Sequence, residues 1–303
     1  MVTGRKRLAL IGANGMLASM VIKMTPPDFE ILAFDLPDFD ITDREQVLRM
    51  MQAARPQVIV NCAAYTNVDG CESQEELATR VNGDGPGYLA EAARGCGATL
   101  VHVSTDYVFD GRKQTPYTEE DPPNPLSAYG RSKLRGEEAI LASGLERFFI
   151  LRTSWLYGPG GKNFVETIAR LASERDELRI VADQVGTPTC TEDLAKAIFN
   201  LLHLAEVAEK DTRPAPYGIY HFSSAGHCSW HQFSLEILAQ LRQAGIPIRA
   251  QRVVPLLTRE YPLPAIRPHY SVFAKEKYQQ ATGAPIPPWQ ESLGRYLSVY
   301  HRQ

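Results

Sequence analysis

Two residues four positions apart carry the strongest chemical signal in the sequence. Tyr129 and Lys133 fall in a helical pattern that begins near Ser127, so both side chains leave one face of the helix. A phenol alone has a pKa of about 10 and is a poor acid at neutral pH. A neighbouring ammonium stabilises the phenolate and lowers that pKa, which makes proton exchange with a substrate oxygen feasible. We predict an acid–base pair, with an ordinary helix-surface pair as the alternative.

A second candidate group lies at the carboxyl end of a predicted strand. The strand over 99–104 is followed by Thr105 and Asp106, and ligands of doubly wound sheets bind at the carboxyl ends of strands. A hydroxyl at this edge can orient a substrate carbonyl while Tyr129 protonates it. We favour Thr105 for this role, and Ser104 stays open as the alternative.

A glycine turn near the start of the chain predicts a phosphate site. Gly12-Ala-Asn-Gly15 joins the first predicted strand to a helix, where free backbone N–H groups and the helix dipole favour a pyrophosphate. Ala18 stands where a third glycine is often found. The strand–loop–helix context indicates a dinucleotide, and an ordinary turn is the alternative. The predicted contacts from this loop are Gly12, Asn14, Gly15, Met16 and Leu17.

The end of the second predicted strand bears on the identity of the cofactor. Asp35 lies where a carboxylate accepts hydrogen bonds from the adenosine ribose; a solvated strand-end carboxylate is the alternative. No Arg or Lys follows within eight positions, so a 2′-phosphate has no obvious partner in this loop. The prediction is NADH or NADPH, with NADH favoured. The other predicted cofactor contacts are Asp40 and Ile41 along the adenine, Ala63, Ala64 and Tyr65 toward the nicotinamide, and Tyr129 and Lys133.

The elements that must position these residues alternate between short β-branched runs and longer helical patterns through residue 155. This alternation predicts an α/β fold with a Rossmann-type doubly wound parallel sheet. Proline and turn residues become more frequent afterwards, which indicates a smaller, interleaved C-terminal α/β lobe for the substrate. We predict domains at 1–155 and 156–303, with some later segments returning to the first.

The predicted elements have the following bounds. Strands are expected at 7–11, 30–34, 58–61, 99–104, 148–152, 179–181, 218–222 and 250–254. Helices are expected at 15–24, 43–54, 74–95, 127–143, 163–173, 191–204, 229–243 and 288–300.

The composition argues against several classes of protein. The 303 residues are 44% hydrophobic and 22% charged, near globular averages, so wholesale disorder is a poor fit. A net charge of -3 gives no general field for nucleic acid or an anionic membrane. Five scattered cysteines without a Cys-x-x-Cys spacing indicate neither a disulfide framework nor a zinc site. We expect a cytoplasmic monomer or homodimer that binds neither nucleic acid nor membrane.

Further motifs accompany the glycine loop and the Tyr–Lys pair over nearly the whole chain. They include Ser104-Thr-Asp-Tyr-Val-Phe-Asp-Gly111, Arg152-Thr-Ser-Trp-Leu-Tyr-Gly158 and Asp183-Gln-Val-Gly-Thr-Pro-Thr189. Together these motifs resemble those of the extended short-chain dehydrogenase/reductases, and within them the family of dTDP-4-dehydrorhamnose reductases.

The resemblance implies a reaction and a substrate. A hydride would pass from the nicotinamide to C4 of a dTDP-linked 4-keto-6-deoxy sugar, Tyr129 would protonate the new alkoxide, and the product would be dTDP-L-rhamnose. Lys133 would tune Tyr129, and Thr105 would orient the keto oxygen. The implied substrate contacts are Val68, Thr105, Asp106, Tyr107, Trp155 and Asn163, with Arg267 on the diphosphate. Core aromatics and a surface ion pair are the alternatives for Trp155, Tyr107 and Arg267.

Departures from the family pattern limit what can be carried over. Gly70 stands where the family commonly has a lysine near the sugar, so any role of that lysine is in doubt. Some relatives dimerise around Mg²⁺ through carboxylates, but one such position is Met20 here and Glu192 alone remains. Octahedral Mg²⁺ needs several oxygen ligands. We therefore predict no metal ion.

Other functions stay open at this point. An epimerase or 4,6-dehydratase shares the fold and the Tyr–Lys pair, but the dehydratases have a glutamate where Tyr107 stands. A reductase of a related dTDP-4-keto-6-deoxyhexose is the nearest alternative. A non-catalytic regulatory subunit, like the β subunit of methionine adenosyltransferase, belongs to another class, and retention of the acid–base residues argues against it.

Overall fold

The computed structural model describes residues 4–300, and its centre is a six-stranded parallel sheet. The strands are β1 (Lys6–Ile11), β2 (Phe29–Phe34), β3 (Val58–Asn61), β4 (Thr99–Thr105), β5 (Phe148–Thr153), β6 (Leu156–Tyr157), β7 (Glu177–Val181), β8 (Val185–Gly186), β9 (Thr189–Cys190), β10 (Gly218–His221), β11 (Cys228–Ser229) and β12 (Arg252–Leu256). The central sheet has the order β10-β5-β4-β3-β1-β2, and every pair in it is parallel.

Helices cover both faces of this sheet. They are α1 (Met16–Met24), α2 (Arg44–Ala54), α3 (Val68–Ser73), α4 (Glu75–Thr79), α5 (Gly85–Cys96), α6 (Ala128–Ala142), α7 (Phe164–Glu174), α8 (Thr191–Lys210), α9 (Trp230–Gln243), α10 (Glu276–Thr282) and α11 (Trp289–Tyr300). Leu8 and Leu10 pack with α1 and α8, whereas Ala9 and Ile11 pack with α2 and α5. Strands that are buried on both faces need continuous apolar runs, which is what the sequence of β1 provides. The predicted doubly wound α/β fold is confirmed.

Two later segments return to this first unit. The strand expected at 218–222 is β10, and it pairs with β5 at the edge of the central sheet. Helix α8 packs against α1. The predicted interleaving is therefore visible, and the boundary between 155 and 156 stays a prediction.

The remaining segments build a smaller unit with its own apolar core. Strands β7 and β12 pair in parallel, and β8 pairs with β11 in antiparallel fashion. Helices α7, α9 and α11 enclose a core that includes Tyr157, Phe233 and Trp289. This unit lies next to the carboxyl ends of β4 and β5, because β6 and the 106–108 turn follow directly from those strands.

The helix predicted over 74–95 is present, but it is not a regular α-helix throughout. The segment divides into α4, a π-helical turn at Arg80–Asp84 and α5. Pro86 near the start of α5 lacks a backbone donor, and the wider turn aims Asn82 at the backbone of Tyr65, where its amide makes hydrogen bonds of 2.8 and 3.0 Å. Helices α3 and α10 were not predicted, because six or seven residues are too few to show a helical period.

A buried ion pair fixes α6 to the sheet. Arg152 on β5 donates from Nε and Nη2 to Glu137 on α6 at 3.0 and 2.6 Å, and these two side chains are only 2% and 1% exposed. Ser104 Oγ on β4 donates to the same carboxylate. The guanidinium also lies 5.2 Å from the centre of the Phe109 ring. The helix that carries Tyr129 and Lys133 is thereby held in one register against β4 and β5.

The length and hydrophobicity of the helices bear on whether the chain can span a membrane. Within residues 4–300, no helix combines the length and the apolar character needed to cross a bilayer.

Replacing Arg152 should destabilise the protein strongly. In Arg152→Met the Glu137 carboxylate stays buried without its cation, and breaking such a pair costs about 3 to 5 kcal/mol. Urea unfolding at pH 7 measures the loss. The matched control is Arg170→Met, which removes the exposed pair with Glu174 and should change stability by about 0.5 kcal/mol or less. A loss for Arg152→Met no larger than that of the control would contradict the assigned role.

Candidate active site

The predicted acid–base residues meet where β4 ends and α6 begins. Thr105 ends β4 and is followed by a 3-10 turn at Asp106–Val108. Helix α6 starts after Ser127, whose hydroxyl accepts from the Gly130 N–H at 3.1 Å. A Cβ at Gly130 would lie 2.2 Å from the Tyr107 carbonyl oxygen, so only glycine allows the helix to approach this turn so closely.

Tyr129 lies in a largely apolar environment beside Thr105. Its ring meets Tyr107 edge-on, with the ring centres 5.4 Å apart. Burial raises the pKa of Tyr129 above its usual value, against a hydrogen bond from Thr105 that lowers it. Tyr129 is therefore protonated at neutral pH, the state that a proton donor requires. Thr105 Oγ1 is held in place by the Tyr107 N–H at 3.2 Å.

Lys133 is buried beneath this pair. Its Nζ donates to the Val103 carbonyl at 2.7 Å and lies 3.3 Å from His102 Nε2. Burial lowers the pKa of Lys133 to about 8, although nearby Glu137 raises it. Burial and the charge of Lys133 hold the pKa of His102 well below its usual value, so this imidazole is neutral.

Asp106 is a buried carboxyl next to Thr105. Its Oδ1 accepts from the Thr105 hydroxyl at 3.1 Å. Ser271 helps to lower its pKa, yet within the described part of the chain Oδ2 makes no hydrogen bond of ordinary geometry. Burial outweighs these hydrogen bonds and raises the pKa of Asp106 to about 6.

The glycine turn has the shape that a dinucleotide needs. Gly12 has a φ of +74°, and a Cβ there would lie 2.7 Å from the Ala63 backbone. Helix α1 begins at Gly15 without a side-chain cap, which leaves N–H groups of its first turn available to an anion. Asp35 lies at the same loop, since its Oδ2 accepts from the Asn14 N–H at 2.7 Å. The residues present therefore fit a bound pyrophosphate with an adenosine ribose beside Asp35.

The other predicted cofactor residues are placed as follows. Asp40 accepts from the Thr42 N–H at 2.8 Å, and Ile41 is buried beside Gly85. Ala63, Ala64 and Tyr65 follow β3, next to the glycine turn. The side chain of Met16 lies at the turn near Gly161, whereas Leu17 is buried in the core.

A cavity of about 910 Å³ extends from Tyr107 into the smaller unit. Aromatic side chains line it, among them Phe164, Trp230 and Tyr261. Its basic lining residues include Arg175, Arg179 and Arg267, and His269, Glu177 and Glu260 also border it. Tyr107 lies between the cavity and the acid–base residues, since it lines the cavity on one side and contacts the Tyr129 ring.

The predicted substrate residues have unequal access to this cavity. Tyr107 and Arg267 line it directly. Trp155 lies against it through Trp230, on which it stacks with the ring centres 3.4 Å apart. Val68 begins α3.

Asn163 and Arg267 also hold structure together. The Asn163 amide donates to the Gly158 carbonyl at 2.8 Å, and its oxygen caps α7 at the Glu166 N–H. Arg267 donates from both Nη atoms to Asp69 at 2.8 Å. The ion pair considered for Arg267 is thus present, and it connects the cavity wall to α3.

Several residues at the site were missed in the sequence. Asn61 and His102 contact each other behind Lys133, and the available signal was a polar residue inside an apolar strand. Trp230 lies in a motif but had no role assigned. No motif in the sequence distinguishes Arg175 and Arg179 from other arginines.

No metal site emerges from residues 4–300, where no three His, Cys, Asp or Glu side chains are grouped to hold an ion. Glu192 pairs with Lys196 at 2.6 Å, and Met20 is buried under the sheet. The expectation of no metal remains a prediction.

Comparison with known proteins identifies the family. The family model for the RmlD substrate binding domain matches residues 6–302. The chain belongs to this family. A curated relative from Sinorhizobium fredii, named dTDP-4-dehydrorhamnose reductase, is 42% identical over 96% of each chain.

Two solved structures of dTDP-4-dehydrorhamnose reductases agree with this chain in fold over nearly its whole length. The dTDP-4-dehydrorhamnose reductase of Clostridium acetobutylicum is 41% identical, with a TM-score of 0.88 over 97% of this chain and 99% of that one. The enzyme of Bacillus anthracis, solved in complex with NADP, is 38% identical, with a TM-score of 0.89 over the same shares.

The raised pKa of Asp106 predicts a pH-dependent stability. Between its ordinary value of 3.8 and about 6, the folded state binds this proton more tightly than the unfolded state. Wild-type stability therefore falls as the pH rises through that window, by about 3 kcal/mol from this one group. Asp106→Asn lacks the titration, so its stability relative to wild type should improve from pH 4 to pH 7, as measured by urea unfolding.

Asp110 provides the control of opposite sign. Although burial raises it, hydrogen bonds from the Arg112 N–H, Asn124 and Tyr117 hold the pKa of Asp110 below its usual value. Asp110→Asn should therefore lose stability relative to wild type as the pH rises from that lowered pKa to the ordinary value of 3.8, so this variant is measured below pH 4 as well. If Asp106→Asn shows the same sign as Asp110→Asn, the assignment for Asp106 fails.

Proposed function

We propose that this RmlD family member reduces the C4 keto group of dTDP-4-dehydro-L-rhamnose to give dTDP-L-rhamnose, with NADH or NADPH as the reductant. The observation that carries the proposal is the contact of Thr105 with Tyr129, with buried Lys133 one turn further along α6 and Tyr107 between this group and the cavity. The family relationship over nearly the whole chain supports the choice of substrate.

Three residues of the chain have separate roles in the proposed reaction. When bound, the nicotinamide supplies the hydride. Tyr129 gives its phenolic proton to the oxygen at C4, so the phenol O–H bond breaks as the sugar hydroxyl forms. Thr105 orients the keto oxygen toward Tyr129, and Lys133 holds the nicotinamide ribose and Tyr129 in position.

In this proposal, the sugar and the diphosphate of the substrate bind at different parts of the cavity. The sugar lies between Tyr107 and the Trp155–Trp230 stack, where Val68, Asp106 and Asn163 complete its surroundings. The diphosphate lies toward Arg267, whose guanidinium remains within the cavity wall while it pairs with Asp69. A planar guanidinium can bind a phosphate and a carboxylate through different N–H groups.

For the cofactor, we propose a preference for NADH. Asp35 already accepts from Asn14 and from the Leu36 N–H at 2.8 Å, so a carboxylate occupies the position beside the adenosine ribose. A 2′-phosphate placed there meets like charge. A relative solved with NADP makes a direct comparison of the two cofactors necessary.

The reaction is tested by following absorbance at 340 nm with dTDP-4-dehydro-L-rhamnose made in situ. Wild type should oxidise the reduced cofactor rapidly, and Tyr129→Phe should lower kcat by roughly 100-fold or more, the scale of a positioned proton donor. Cofactor affinity should change little, because the phenyl ring is kept.

Tyr88→Phe on α5 is the matched control, and it should retain wild-type kcat. Near-wild-type turnover by Tyr129→Phe would remove this residue from the mechanism. If wild type binds cofactor but does not oxidise it with this sugar, the substrate is a different keto sugar or the chain is a non-catalytic subunit.

The cofactor preference is tested by Asp35→Ala. A hydrogen bond to a charged group contributes about 1.5 to 3 kcal/mol, so the affinity for NADH should fall roughly 10- to 100-fold, and that for NADPH much less. Calorimetric titration with both cofactors measures the ratio. Asp38→Ala, an exposed carboxylate on the same loop, should leave the ratio unchanged. Equal losses for the two cofactors in Asp35→Ala would refute the ribose contact.

A further inference from the structure

A carboxylate on α3 meets an arginine of a distant segment at the edge of the cavity. Asp69 lies in the first turn of α3, and the Asn67 side chain caps this helix by accepting from the Gly70 N–H at 3.0 Å. Arg267 follows β12, a strand of the smaller unit, and lines the cavity. The two side chains form an ion pair of 2.8 Å. This contact therefore joins the two units beside the proposed substrate site.

Three donors converge on the Asp69 carboxylate. Arg267 donates from Nη1 to Oδ1 and from Nη2 to Oδ2, each at 2.8 Å. The Ala265 N–H donates to Oδ1 at 3.1 Å. The hydrogen bonds from Arg267 hold the pKa of Asp69 below its usual value, and partial burial opposes them. Asp69 is therefore ionised at neutral pH, and it fixes both the guanidinium and the backbone next to it.

The N–H groups of Arg267 can be counted one by one. A guanidinium has five N–H groups in a fixed plane. Nη1 uses both of its own, because it also donates to the Ala265 carbonyl at 2.7 Å. Nη2 uses the one that lies next to Nη1. The N–H of Nε and the second N–H of Nη2 remain, and these two are parallel along one edge of the plane.

This free edge of Arg267 is open to the cavity. The hydrogen bonds of Arg267 within residues 4–300 come from its two Nη atoms. In the same part of the chain, the buried nitrogens without a partner include Nε of Arg147 and of Arg295 but not Nε of Arg267, so solvent reaches the last of these. Arg267 lines the cavity, and Asp69 is not among the described residues that line it. The edge that is not bonded to Asp69 therefore faces the cavity.

We propose that Asp69 is a positioning residue: by occupying the Nη1–Nη2 edge of Arg267, it presents the Nε–Nη2 edge as a fork for two oxygens of one phosphate group in a nucleoside diphosphate. Two parallel N–H groups match the spacing of two phosphate oxygens. The inference rests on the proposed function, because it assigns this role at the diphosphate of that substrate. Asp69 itself contacts neither the substrate nor the cofactor.

The position and the charge of Asp69 have opposite effects on an anionic ligand. An arginine that is already ordered loses less conformational freedom when a ligand binds, which strengthens binding. A carboxylate close to a diphosphate repels it, which weakens binding. The sign of the change when Asp69 loses its charge therefore distinguishes a positioning residue from a mere source of charge.

The cavity wall that carries Arg267 has a second anchor far from Asp69. The Thr258 N–H and the Thr258 hydroxyl donate to Asp183 Oδ1 at 2.8 and 2.6 Å. The segment between Thr258 and Arg267 is thus held at both ends, by Asp183 and by Asp69. Replacing Asp69 should free the guanidinium while the wall stays attached at the Asp183 end.

The proposal is tested first by calorimetric titration of Asp69→Asn with dTDP. The amide offers one oxygen and turns its NH₂ group toward the donors of Arg267, so the Kd for dTDP should rise roughly 10-fold. Loss of a negative charge by itself predicts a lower Kd. Glu76→Gln is the matched control, since Glu76 is an exposed carboxylate on neighbouring α4, and its Kd should equal that of wild type. An unchanged or lowered Kd in Asp69→Asn would overturn the proposal.

A double-mutant cycle tests whether Asp69 acts through Arg267. Arg267→Ala should also weaken dTDP binding. In that background only the repulsion from Asp69 remains, so adding Asp69→Asn should leave the Kd unchanged or lower it. A further loss as large as that in the wild-type background would mean that Asp69 acts without Arg267, and the proposal would fail.

Arg267→Lys tests the fork without removing the charge. An ammonium cannot offer two N–H groups in a fixed plane, so the Kd for dTDP should again rise. Wild-type affinity in this variant would show that the fork is not needed and would refute the proposal even if Asp69→Asn failed to fold. Urea unfolding of each variant establishes that it is folded under the conditions of the titration.

Turnover provides a reading that a general structural defect would not give. With the proposed substrate, Asp69→Asn should raise KM while kcat stays close to that of wild type, because the acid–base residues are untouched. Equal loss in kcat would contradict a positioning role. If wild type binds dTDP with the expected variant effects but does not reduce dTDP-4-dehydro-L-rhamnose, the proposed reaction fails and the role of Asp69 stands. If it reduces that sugar and dTDP binding ignores Asp69→Asn, the reaction stands and this inference fails.

Discussion

The site depends on one buried ion pair, between Arg152 on β5 and Glu137 on α6. Removing two charges from water is costly, and such a pair is tolerated only with good geometry and further partners. Ser104 provides a hydrogen bond to the carboxylate, and the Phe109 ring lies beside the guanidinium. Because Ser104 immediately precedes Thr105, the same contact that holds α6 also fixes the strand end. The positions of Tyr129 and Thr105 relative to each other follow from this contact.

Local spacing explains why much of the fold and of the site was predictable from sequence. The alternation of strands and helices, the Gly12 turn and the four-residue interval between Tyr129 and Lys133 each depend on neighbouring residues. Apolar runs such as β1 and β3 reveal a parallel sheet because both faces must be covered. The carboxyl edge of that sheet then places Thr105 near Tyr129 without any knowledge of side-chain contacts.

The rest could not be predicted, because it depends on contacts between distant residues. Asn61 and His102 are 41 positions apart, and Asp69 and Arg267 are 198 apart. Neither pair belongs to a periodic pattern. The π-helical turn at Arg80–Asp84 likewise brings Asn82 to the backbone of Tyr65, which is 17 positions away. The helical period of the residues in the turn does not predict it. Trp230 packs against Trp155 and Phe164, which belong to other parts of the chain.

The inner end of the site, around Thr105 and Tyr129, differs in charge from the outer end of the cavity. Around Thr105, burial moves four titratable groups toward their neutral forms: the pKa of Tyr129 and of Asp106 rises, and that of Lys133 and of His102 falls. Toward the outer end, the cavity wall includes the guanidinium side chains of Arg175, Arg179 and Arg267. In the proposed function, these guanidinium groups face the diphosphate of the substrate, away from the keto group. In the proposed reaction, the neutral phenol of Tyr129 at the inner end is the group that gives a proton to the oxygen at C4.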